Sequence, residues 1–117
     1  MNGSIHWFEV VGTDAEALRG FYKGLFGWDF NVVPEMNYGL AAPKDSIPGG
    51  VGPSPVPGVG WTTFYVVVEK LEDSIAQAEA AGGKVLVAPM ALPDGRIAVI
   101  ADPEGHPVGL SEPANRA

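Results

Sequence analysis

The period of the apolar positions changes several times along the chain, and each change marks an element. Leu18, Phe21, Tyr22, Leu25 and Phe26 recur at i, i+3, i+4, i+7 and i+8, one stripe of helical period. Ahead of it, Thr13-Asp-Ala-Glu16 reads as a capping box in which Thr13 accepts from the third amide and Glu16 reaches back. Gly27 then supplies the left-handed residue that ends a helix. A weaker stripe of Leu71, Ile75 and Ala78 predicts a second helix over about 71–81, stopped by Gly82-Gly83. Residues 5–11 and 61–68 precede the two helices as runs rich in aromatic and β-branched side chains, which predicts strands. Residues 28–33 and 38–42 read as a hairpin around Pro34-Glu-Met-Asn37. Strands over 84–88, 96–101 and 107–111 follow. Asp94-Gly95 is a hairpin turn signal, and Asp102-Pro-Glu-Gly105 a type I turn with Pro at i+1 and Gly at i+3.

Strand, helix and three strands are thus written twice. A constant offset places Phe8 on Phe64, Val11 on Val67 and Gly27 on Gly83, with slight identity elsewhere. The predicted fold class is α+β, a single domain over 1–117. Two βαβββ modules, about 3–52 and 60–113, build a cupped mixed sheet with helices on its convex side. Residues 47–60 are too rich in Pro and Gly for a helix or a long central strand. They predict one short edge strand near 49–52 and a linker over about 53–59, which either simply connects the modules or forms a rim of the cavity.

Composition narrows the functional classes. The 117 residues hold no cysteine, which removes disulfides, thiolate metal sites and cysteine nucleophiles. A formal charge of −7 opposes an electrostatic footprint on nucleic acid or on an anionic membrane, and the seven basic residues are scattered. With neither a signal-peptide pattern nor an apolar run of spanning length, the expected location is the cytoplasm. Nucleophile elbow, P-loop and dinucleotide fingerprint are all missing; Gly49-Gly-Val-Gly52 lacks a following helix and the lysine of a phosphate loop.

A strand leading to an Asp, a helix containing Phe21-Tyr22 and closing on Leu25-Phe-Gly-Trp28, Gly82-Gly83 after the second helix and Asp102-Pro-Glu-Gly105 before the last strand together resemble the vicinal oxygen chelate superfamily. That superfamily includes glyoxalases, extradiol dioxygenases and the bleomycin and fosfomycin resistance proteins. The resemblance spans nearly the whole chain and implies a metal on the concave face, held by His and Glu from the first and last strands of each module. Those positions fall here on Trp7, Thr63, Gly109 and the Gly-rich stretch 47–52, none of which is a good ligand. The resemblance with these departures implies no cofactor and no metal, and a homodimer that binds a small molecule.

Strand alternation agrees with that reading. Phe8, Val10, Phe64 and Val66 share the faces suited to packing beneath helices. Trp7, Glu9, Trp61, Thr63 and Tyr65 then line the cavity, an aromatic cup with one carboxylate and a few hydroxyls. Glu9 is the candidate general acid or base, or else pairs structurally with an Arg or a backbone donor. Trp7, Trp61 and Tyr65 either stack on a flat ligand or fill the core. His6 would face the cavity only if the strand register slipped by one. His106, after a turn, has no carboxylate partner at metal-ligand spacing. Arg96 is an exposed hairpin arginine or an anion clamp, and Asp102 holds its own turn. The expected function is metal-independent small-molecule binding of the glyoxalase/bleomycin-resistance type. The alternatives are a metal-dependent lyase or dioxygenase using His6, and a metal-free isomerase or hydrolase with Glu9 as base.

Overall fold

The computed structural model describes residues 3–114 and has the expected α+β content. In chain order its elements are β1 (Ile5–Gly12), α1 (Ala15–Phe26), β2 (Asn31–Val33), β3 (Tyr38–Ala41), β4 (Gly49–Pro53), β5 (Trp61–Val67), α2 (Leu71–Ala80), β6 (Lys84–Leu92), β7 (Gly95–Ala101) and β8 (Pro107–Pro113). They form two compact units. One comprises Trp7–Thr63; the other takes the described residues up to His6 and from Phe64 onward. Among the described residues no helix is long and apolar enough to cross a membrane.

In the Trp7–Thr63 unit the strands run β2-β3-β4-β1, with β1 and β4 parallel and the other neighbours antiparallel. β4 is therefore an inner strand, not the edge strand its composition suggested. Its glycines pack closely: a Cβ at Gly49 would strike the Phe8 ring on one face, and a Cβ at Gly50 would strike the Tyr38 ring on the other. α1 lies over β4. Asp14, and not Thr13, caps it by accepting from the Ala17 amide at 3.0 Å. Gly27 closes it at φ 76°, as its sequence position implied. Arg19 ties the helix to the strands beneath, donating to the Asn37 carbonyl and side-chain oxygens (2.8 Å each) and to the Val51 carbonyl (3.3 Å).

In the other unit the order is β5-β8-β7-β6, with β5 and β8 parallel. Leu71, Ala98 and Leu110 form its core, with Val68, Ile75 and Ile100 packed around them. α2 lies over β6, β7 and β8. Phe64 on β5, expected beneath a helix, is consequently 41% exposed. β6 runs four residues past its expected end, and the register shifts between Val85 and Val87 and between Val87 and Met90 accommodate Pro89.

The N-terminus of α2 has no capping side chain of its own at Lys70. Glu112 substitutes from β8, accepting from the Leu71 amide at 3.0 Å. Arg96 holds Glu112 and Glu72 together, with four hydrogen bonds of 2.8–2.9 Å. It is thus a clamp on this protein's own carboxylates. Those hydrogen bonds hold Glu72 down to about 2, and hydrogen bonds from Arg96 and then from the Leu71 amide hold Glu112 below its ordinary value. A carboxyl with a folded pKa below its unfolded one stabilises the fold fully above the unfolded pKa, near 4.3, and loses that contribution as pH falls through the folded one. Arg96→Met should therefore lower the urea midpoint at neutral pH. The difference from the parent chain should shrink as pH is taken from about 5 to about 2; a difference constant across that window would dissociate the network from acid stability.

Candidate functional site

On the face of β1 turned away from α1, Trp7 and Glu9 are joined by a third side chain from β3. The Tyr38 hydroxyl donates to Glu9 Oε2 at 2.8 Å and accepts from Trp7 Nε1 at 3.1 Å. Burial, and then the negative charge of Glu9, push the Tyr38 phenol far above its ordinary value, so it keeps its proton. The three side chains are half-buried, and the Tyr38 ring lies against Gly50 and Gly52. Tyr38 was not singled out from the sequence. A signal was present: glycines spaced by two on one face of a strand mark a large group lying across it.

The five side chains expected to share one cavity fall in both units. Trp7 and Glu9 meet through Tyr38. Trp61 and Thr63, 9% and 6% exposed, are packed into the same unit. Trp61 Nε1 is buried and finds no acceptor among the described residues. Tyr65 belongs to the other unit, where its ring covers Gly109. A cleft of about 640 Å³ lies on the helix side of the first unit, between α1, the end of β1 and the start of β5. Its walls include Val10, Leu18, Phe21, Tyr22, Trp61 and Thr62, so only Trp61 of the expected five borders it.

Both histidines are exposed side chains. His6 is exposed near the start of β1, in the other unit. His106 is exposed with Nδ1 2.9 Å from Asp102 Oδ2, so it does have a carboxylate partner, within its own turn. Asp102 also accepts from the amides of Glu104 and His106 and holds the turn as expected. The His106 amide leads the contacts that keep the Asp102 carboxyl low.

The metal of the superfamily can be tested against these positions. The ligand positions carry Trp7, Thr63 and Gly109, and in β4 the glycines beneath Tyr38. A carboxylate or imidazole at Gly50 or Gly109 would have to displace the tyrosine ring lying there. No three His, Asp or Glu side chains converge among the described residues. The residues present do not fit the metal.

The sequence profile of the glyoxalase-like domain family matches residues 8–111. The chain is 30% identical over 118 residues to CFP32 of Mycobacterium tuberculosis, named as a candidate glyoxylase; the match covers 96% of this chain and 45% of that protein. It is 32% identical over 124 residues to the anthracycline biosynthesis protein DnrV of Streptomyces peucetius, covering 88% of this chain and 44% of that protein. The chain therefore spans less than half the length of these relatives. Among solved structures it is similar to a glyoxalase/bleomycin resistance protein/dioxygenase superfamily member from Vibrio splendidus, with TM-score 0.65, 13% identity, and coverage of 95% of this chain and 100% of that one. It is also similar to methylmalonyl-CoA epimerase from Mycobacterium tuberculosis, with TM-score 0.63, 16% identity, and coverage of 97% and 89%. At such identities the two structures speak for the fold alone.

Tyrosine rings over glycines at ligand positions make a packing prediction. Gly109→Ala should destabilise the chain by roughly 1–3 kcal/mol through overpacking, and much of that loss should return in the Tyr65→Ala background. Chemical unfolding of the four chains of this cycle checks it; additive losses would show that the ring does not require the glycine.

Proposed function

The chain belongs to the glyoxalase-like domain family, within the vicinal oxygen chelate superfamily, and on that premise we propose that it is a small-molecule binding protein that works without a bound metal. The observation that carries this reading is the hydrogen-bond chain from Trp7 through Tyr38 to Glu9, laid across Gly50 and Gly52 where the superfamily's chemistry calls for ligands. Indole and phenol rings offer a flat apolar surface, on which an aromatic ligand gains roughly 0.5–1.5 kcal/mol per ring pair beyond its area burial. The three groups fix one another before any ligand arrives, which lowers the ordering cost of binding. Glu9 adds negative charge to a chain already at −7, favouring neutral or cationic ligands over anions. The same charge argues against nucleic acid and anionic membranes as partners. The working unit is a homodimer in the cytoplasm.

Chelator-treated protein titrated with a panel of neutral and cationic aromatic compounds should show saturable quenching of tryptophan emission. Tyr38→Phe and Glu9→Gln should each weaken the best binder about tenfold, equivalent to about 1.4 kcal/mol, with unchanged far-UV circular dichroism. A panel without a binder, or binding that needs added divalent metal, overturns the proposal.

A further inference from the structure

The cleft on the helix side of the Trp7–Thr63 unit has no part in the ligand reading above. Its volume of about 640 Å³ lies inside the range of small-molecule pockets, roughly 300–1,000 Å³. Val10, Leu18 and Phe21 give it apolar walls, and Phe21 is 60% exposed there. Thr13, Thr62 and Asp14 add polar groups, and among the described residues lining the cleft Asp14 alone is charged. One Asp14 oxygen, Oδ1, accepts from the Ala17 amide and caps α1. The other takes no hydrogen bond or ion pair among the described residues. The basic side chains of α1 do not neutralise it: Arg19 is bonded to Asn37 and Val51, and Lys23 to Asp29. A helix start carries about half a positive charge, less than the carboxylates of Asp14 and Glu16 bring to this turn.

We propose that this cleft is a second ligand site, one for a small amine in its ammonium form carried on an aromatic body. The ammonium donates to the uncommitted oxygen of Asp14, and the hydroxyls of Thr13 and Thr62 are acceptors for its further N–H groups. The aromatic body lies against Leu18 and Phe21, taking the exposed Phe21 ring out of water. A carboxylate ligand is opposed by Asp14 and by the chain's charge of −7. A neutral ligand keeps the apolar contact and loses the charge-assisted hydrogen bond. Asp14 thus does two things with two oxygens, starting α1 with one and selecting the ligand with the other. Trp7 and Glu9 lie on the face of β1 turned away from α1, so the proposal does not rest on the reading of that face.

The test is a titration of the full ¹⁵N-labelled chain with three probes on one ring system: 2-(1-naphthyl)ethylamine, 2-(1-naphthyl)ethanol and 1-naphthaleneacetate. The amine should bind with Kd on the order of 100 μM, shifting the amide signals of Ala17, Leu18 and Phe21. The alcohol should bind about fivefold more weakly, as for an exposed ion pair, and the carboxylate more weakly still. Asn caps a helix about as well as Asp, so Asp14→Asn removes the charge and keeps the start of α1. It should erase the preference for amine over alcohol. Ala17→Leu fills the cleft from an exposed position of α1 and should weaken amine and alcohol alike. Should Asp14→Asn fail to fold, Ala17→Leu decides. Signals that move at the Trp7 indole and not along α1 would speak for the other face and overturn this site. So would no binding up to about 1 mM, equal affinity for the three probes, a preference that survives Asp14→Asn, or binding indifferent to Ala17→Leu.

Discussion

The arrangement of the Trp7–Thr63 unit depends on a strand with almost no side chains. β4 lies between β3 and β1, and its glycines let the Phe8 ring close over one face and the Tyr38 ring over the other. Strand pairing alone would tolerate larger residues; the rings would not. Because Tyr38 can lie flat on Gly50 and Gly52, its hydroxyl reaches Glu9 and Trp7 on the far side of β4. The residues that give the site its hydrogen-bond chain thus come from two strands that are not neighbours, with a glycine strand as the bed between them. Tyr65 on Gly109 repeats the device in the other unit. Both cases exchange a chemically capable side chain on the sheet for an aromatic surface.

The basic residues show a similar economy. Arg19 is spent on backbone and side-chain oxygens of the β3–β4 region, and Arg96 on Glu72 and Glu112. Lys23 pairs with Asp29. Arg19 and Arg96, which could otherwise recognise a phosphate or carboxylate, are committed to holding helices on strands. Glu112 in turn does for α2 what its own Lys70 cannot, so that the start of the helix and the end of β8 are fastened by one carboxylate.

Much of this architecture was legible from local patterns, because they report backbone chemistry directly. The stripe from Leu18 to Phe26, the stop at Gly27 and the turn at Asp102 follow from period and turn geometry, and all three occur. The misreadings concern choices made by tertiary contacts. Thr13 and Asp14 are both competent caps, and sequence spacing favoured the wrong one. β4 looked like an edge because its stretch is too rich in Pro and Gly for a long central strand; it is internal because β1 and β3 pair with its two edges, and its glycines leave room for the rings of Phe8 and Tyr38. Phe64 was expected under a helix, but the position of α2 over β6, β7 and β8 is a matter of packing that strand alternation does not encode. The candidate site divides in the same way. Alternation put Trp7 and Glu9 on one face, while Tyr38, which joins them, is distant in sequence and visible only through the glycines it covers.

β6 has a consequence of a different kind. It is the outer strand of its unit, nine residues long, and it presents Leu86 and Met90 to solvent. A flat apolar border of that length is a template on which unrelated chains can polymerise. Two register breaks and Pro89, which has no amide hydrogen to offer, interrupt the row of donors a newcomer would need. The irregularity that made this strand hard to delimit also protects the protein from becoming the seed of a fibre.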